Sequence, residues 1–107
     1  MVFSKSDTYL EEELLEIETI RKIYTNLGIK CLLISCYKKK DISKISDLIK
    51  NKTTLFSGNS GVGKSTLINC LNVKLNLKTQ SVSNSTNKGR HTTTFAQMYD
   101  IDKNTRV

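Results

Sequence analysis

No apolar stretch in these 107 residues approaches the roughly 20 that a membrane-spanning helix needs. A helical span is excluded and no membrane partner is expected. The N-terminus lacks the basic-then-apolar pattern of a secretory signal, so the expected compartment is the cytoplasm. The three cysteines, Cys31, Cys36 and Cys70, are odd in number and form no CxxC pair. That argues for reduced thiols rather than a disulfide framework. His91 is the only histidine, too little for a zinc site. Neither an aromatic RRM core nor a GXXG clamp is present, so no RNA-binding signature is legible. Acidic residues are in deficit: 10 Asp and Glu stand against 17 Lys and Arg, for a net charge of +7. A basic balance favours polyanionic partners such as RNA. Charge alone leaves such contact open, because a lysine-rich face is also a well-solvated one.

What is present suits one small soluble domain, with 37% hydrophobic and 25% charged residues. Its most informative stretch is GNSGVGKS, residues 58–65, which fits G-x-x-x-x-G-K-[ST] without a mismatch. Glycines let the backbone turn with positive φ and approach a ligand closely. Successive N–H groups then form an anion nest, and the following helix adds its positive end. Lys64 can reach β- and γ-phosphates, and Ser65 can ligate Mg²⁺. The flanks agree with the motif. TTLFS (53–57) reads as a buried strand, and STLINCLNV (65–73) places Leu67, Ile68 and Leu71 at helical spacing.

More than half the chain precedes this loop. MVF (1–3) reads as the end of a strand and SKSD (4–7) as a turn. Residues 8–28 read as a helix with Leu10, Leu14, Ile17, Ile20, Tyr24 and Leu27 on one core-facing side. Glu11, Glu12 and Glu13 suit its first turn, Arg21 and Lys22 come later, and Gly28 stops it. IKCLLISC (29–36) has the continuous apolar character of a strand buried on both faces. YKKKD (37–41) reads as a loop, and residues 42–51 as a short helix burying Ile42, Ile45, Leu48 and Ile49. After the phosphate loop, 74–90 is a long polar loop, 93–101 a strand, and DKNT (102–105) a turn. Arg106 and Val107 read as the start of another strand. The order predicts an α/β layered domain, three layers with a mainly parallel sheet. SKSD, SCYK and GNSGVGKS each follow a strand, so all three are expected at its carboxyl end, where such sheets bind ligands.

These motifs resemble those of a GTPase in a rearranged order. SKSD resembles Asn-Lys-x-Asp and Ser35-Cys36 resembles Ser-Ala, yet both precede the loop, as in a circularly permuted GTPase. GNSGVGKSTLIN followed by GRHTTT (89–94) resembles the ribosome small-subunit-dependent GTPase A family, RsgA, over essentially the whole chain. The resemblance implies a P-loop GTPase fold that binds GTP and GDP with Mg²⁺ and acts on the small ribosomal subunit and its rRNA, as a monomer. It assigns Ser4, Lys5, Ser6 and Asp7, with Ser35 and Cys36, to the guanine. Asp7 would accept from the N1–H and the exocyclic amine, and Lys5 would lay its stem along the base. Gly58, Asn59, Ser60, Gly61, Val62, Gly63, Lys64, Ser65 and Thr66 would hold the phosphates. Lys64 would be catalytic, and His91 could orient the attacking water. Ser65 and one of Thr93 or Thr94 would ligate Mg²⁺; the register of Thr92, Thr93 and Thr94 stays open.

The chain departs from the family in several ways. Ser4 stands for Asn, and a shorter hydroxyl replaces an amide that both donates and accepts. Cys36 stands for Ala, where the family uses the backbone N–H. Neither the family's N-terminal OB-fold nor its zinc-binding C-terminal region is expected within residues 1–107, and no Asp-x-x-Gly occurs among them. Residues 1–107 are therefore expected to be part of a permuted GTPase domain. A non-catalytic remnant that binds nucleotide or RNA weakly is the alternative. A P-loop ATPase or kinase is disfavoured by GRHTTT and Lys-x-Asp.

Overall fold

The computed structural model describes residues 1–78 and 96–107. They form two compact units, Met1–Ile45 and Ser46–Val107. In the first, β1 (Val2–Phe3) and β2 (Leu32–Leu33) pair in parallel, Val2 opposite Leu32 and Phe3 opposite Leu33. The helix α1 (Glu11–Asn26) connects them, giving the predicted strand–helix–strand order. Leu32 N donates to Met1 O at 2.9 Å and Ile34 N to Phe3 O at 2.9 Å. Ser6 N then donates to Ile34 O at 3.0 Å, carrying the pairing into the SKSD turn. Parallel pairing places Ser4–Asp7 and Ser35–Lys38 at the same, carboxyl end of this two-stranded sheet.

The helix α1 is shorter than predicted because its ends are capped inside 8–28. Leu10 N donates to the Glu13 carboxylate at 2.8 Å, which satisfies a backbone donor just before the first turn. Gly28 turns out at φ 79°, with Gly28 N on Thr25 O and Ile29 N on Tyr24 O, both at 2.9 Å. That is the paired closure a left-handed glycine makes at a helix end. The predicted core face is only partly buried. Ile17 is covered and Leu14 and Tyr24 are half-covered, but Leu10 and Leu27 are 71% and 69% exposed and Ile20 is exposed too. Leu10 and Leu27 flank the helix, so its periodicity does not carry them to the buried stripe.

The helix α2 (Lys39–Ile49) contributes residues to both units. It starts three residues before the predicted 42, so Lys39 and Lys40 belong to its first turn rather than to a loop. Ile45 and Ile49 are buried, and Ile42 and Leu48 half-buried, as the spacing predicts.

In the second unit, TTLFS is not a buried strand. Thr53 bridges Arg106 in parallel, Arg106 N donates to Lys52 O and Thr54 N to Arg106 O, both at 2.9 Å. Leu55 beyond them is 83% exposed. A single pairing partner supports Lys52–Thr54 and no more of the predicted strand. The helix α3 (Lys64–Leu71) buries Ile68 and half-buries Leu67 and Leu71. A 3-10 turn, Val73–Leu75, follows within the predicted polar loop. Tyr99 and Val107 exchange backbone bonds of 2.8 and 3.0 Å around the predicted turn, and Asp100 bridges Arg106 antiparallel. Arg106 thus pairs on both sides, as a strand residue does. Asn72 Nδ2 donates to Asp100 O at 3.1 Å and Ile101 O at 3.2 Å, fastening the end of α3 to this hairpin. Thr105, 1% exposed, accepts from Asn51 N at 3.0 Å. The first residues of the predicted 93–101 strand lie outside the described residues. No helix among the described residues is long and apolar enough to cross a membrane.

Candidate functional site

In the second unit the motif residues form a loop that closes around its own lysine. Lys64 Nζ donates to Gly58 O at 2.5 Å and to Asn59 O at 2.8 Å. The turn depends on Gly63, which caps α3 at φ 102°, a left-handed conformation that L side chains resist. At Gly58 an added Cβ would lie 3.2 Å from Val62 Cγ1, so the exposed Val62 side chain would have to shift slightly to admit one. Lys64, Ser65 and Thr66 are the first three residues of α3. Their backbone N–H groups belong to the four that a helix leaves unsatisfied at its start, where its dipole is positive. Ser60 and Gly61 are exposed on the loop, and Val62 N donates to Asn59 O at 3.4 Å. An anion fits such a lysine-bearing helix start. Ser65 offers one hydroxyl, which suits a cation held mostly by phosphate oxygens and water, as Mg²⁺ is.

In the first unit the SKSD turn presents a carboxylate. Asp7 is exposed, and the Ser35 side chain holds its carboxyl below the usual range. Its own backbone N–H and the charge of Lys38 act in the same direction. Lys5 sits at φ 61°, a conformation uncommon outside glycine. Thr8 braces that turn, its N and Oγ1 both 2.9 Å from Lys5 O. Ser6 is tied to Ile34, and Ser4 and Cys36 are half-buried beside the turn residues. An ionised carboxylate at the end of a sheet can accept two parallel N–H bonds.

Ser35 is fully buried, and a residue that sequence reading passed over holds it. Asp41, on the first turn of α2 and 8% exposed, accepts from Ser35 N at 3.1 Å through Oδ2. Its Oδ1 lies 3.2 Å from Lys44 Nζ. The Ser35 N–H and then Lys44 keep its carboxyl below the usual range. In the sequence Asp41 is one acid in a lysine-rich run. Its place three residues into a helix was the available signal, because an acid there can turn back to a preceding N–H. His91, Thr92, Thr93 and Thr94 lie outside the described residues.

Residues 1–107 match the family described as RsgA GTPase. Among curated proteins, the small ribosomal subunit biogenesis GTPase RsgA of Flavobacterium psychrophilum is 48% identical over 101 residues, 94% of this chain and 31% of that protein. Its counterpart in Flavobacterium johnsoniae is 43% identical over all 107 residues, 33% of that protein. RsgA 2 of Bacteroides thetaiotaomicron is 42% identical over 102 residues, again 33% of its length. The chain thus spans about a third of the relatives it matches. No solved structure matches it significantly. A match along the full chain, on a sequence that carries the complete phosphate loop, places this protein in the RsgA GTPase family.

Proposed function

We propose that this chain binds GTP and GDP as part of a permuted GTPase domain and contributes to GTP hydrolysis during small ribosomal subunit biogenesis in the cytoplasm. The observation that carries this is chemical. One unit offers a lysine-bearing anion loop at a helix start. The other offers an exposed aspartate, Asp7, whose carboxyl lies below the usual range chiefly through the Ser35 side chain. Lys64 leaves its loop carbonyls to neutralise β- and γ-phosphate charge, and the N–H groups from Gly61 to Thr66 orient the phosphates. Mg²⁺, held through Ser65 and a threonine of 92–94, would supply further charge neutralisation at the phosphates. Asp7 selects guanine, because adenine lacks the paired N–H donors a carboxylate accepts. His91 orients water. Turnover without a partner is slow, on the order of 10⁻⁴ to 10⁻² per second for unassisted GTPases. The net charge of +7 suits the rRNA of the small subunit as that partner, bound by a monomer. Competition between unlabelled GTP and ATP for a bound fluorescent GDP analogue tests the reading. Displacement by GTP alone supports it, and equal displacement by ATP defeats guanine selection.

A further inference from the structure

Tyr37 is 86% exposed, while the other aromatic side chains among the described residues are half-buried. Its backbone is nevertheless held. Tyr37 N donates to the Ser35 hydroxyl oxygen at 3.2 Å, and Lys38 N to Ser35 O at 3.1 Å. Asp41 N donates to Lys38 O at 2.9 Å, and Asp41 Oδ2 accepts from Ser35 N at 3.1 Å. The ring is presented to solvent from a braced turn, so covering it costs little backbone ordering.

Lys38, Lys39 and Lys40 follow it, all exposed. Lys39 and Lys40 open α2, at the end where the helix dipole is positive, so their charges work against the helix. Asp41 does not offset them at the surface, because it is buried and bonded to Ser35 N and Lys44. Helix stability does not account for these cations, and core packing does not account for the ring. An exposed aromatic beside clustered cations suits an unpaired nucleotide, which offers a base face to stack and flanking phosphates to neutralise.

We propose that Tyr37, Lys39 and Lys40 form a contact surface for single-stranded RNA, with Tyr37 stacking on an unpaired base and the two lysines taking adjacent phosphates. This names a surface for the rRNA partner and rests on that reading. Lys38 is set apart because its charge also acts on Asp7. Duplex RNA offers phosphates but no open base, so the ring sets a preference for single strands.

The test follows fluorescence anisotropy of a labelled single-stranded RNA of about 12 nucleotides, and of a duplex of the same length, against the full chain at several salt concentrations. GDP affinity is measured alongside. Wild type should prefer the single strand. Tyr37→Ala should weaken single-strand binding about tenfold, within the range for one stacked base, and Tyr37→Phe should restore it. Replacing Lys39 and Lys40 together by Ala should flatten the slope of log K against log salt by about 1.4, at about 0.7 per phosphate. Replacing both by Glu should raise the urea midpoint while weakening RNA binding further. GDP affinity should stay near wild type throughout. Unchanged single-strand affinity in Tyr37→Ala, an unchanged salt slope in the double Ala variant, or RNA and GDP affinities that fall together overturns the proposal. So does equal binding of single strand and duplex by wild type. Wild type that binds neither RNA defeats the rRNA reading itself, and the proposal falls with it.

Discussion

The Lys64 ammonium lies 2.5 Å from the carbonyl oxygen of Gly58, six residues before it in the chain. With Asn59 O at 2.8 Å, it is anchored where the loop bends into α3. The charge therefore stands at the helix start, where an anion would meet it. Lys64→Ala should weaken GTP and GDP binding by about 1.5 to 3 kcal/mol, the range for hydrogen bonds to a charged group. Isothermal titration checks this, and unchanged affinity would remove Lys64 from the site.

Asp7→Asn should loosen the choice of base while leaving the phosphate contacts alone. An amide presents one acceptor and one donor where the carboxylate presents two acceptors. The ratio of GTP to ATP affinity should fall about tenfold or more. A preserved ratio would show that Asp7 is not the reader.

Lys5 at φ 61° is a local cost that a recognition turn would retain. Lys5→Gly should relieve about 1 kcal/mol of left-handed strain, less the entropy that glycine loses on folding. The variant should be no less stable in urea yet bind guanine nucleotide more weakly. Loss of stability with unchanged binding would contradict both parts.

Asn72 joins the end of α3 to the hairpin through two bonds, and its side-chain oxygen accepts from Lys74 N at 3.1 Å. Asn72→Ala should destabilise the chain by about 0.5 to 1.5 kcal/mol, the net worth of a hydrogen bond whose partners water can still reach. A chemical denaturation midpoint close to wild type would show that this link is not holding the unit.

The folded-state pKa of Asp41 lies below its unfolded value. Its contribution to stability is therefore complete above the ordinary aspartate range and is lost as pH falls through the depressed folded value. Urea unfolding from pH 7 down to pH 3 should show wild type losing more stability than Asp41→Asn. Parallel curves for the two would place no linked proton at Asp41.

Patterns that depend on neighbours in sequence were legible. The loop and α3 follow from one motif, the Gly28 stop follows from backbone freedom, and the turn at 102–105 follows from its polar residues. Features decided by distant partners were not. TTLFS has strand composition, but how far it pairs depends on Arg106, and Leu55 lies past that support. Leu10 and Leu27 satisfy the apolar spacing yet sit off the helix that would bury them. Asp41 was hidden because its partner is a backbone N–H, which carries no sequence signal of its own.

The most direct test is titration of this chain with Mg²⁺ and fluorescent GTP, GDP and ATP analogues. The account predicts saturable binding that unlabelled GTP displaces and ATP does not, and that Lys64→Ala weakens. Equal competition by ATP, or no saturable binding by a chain that is folded by circular dichroism, would contradict it.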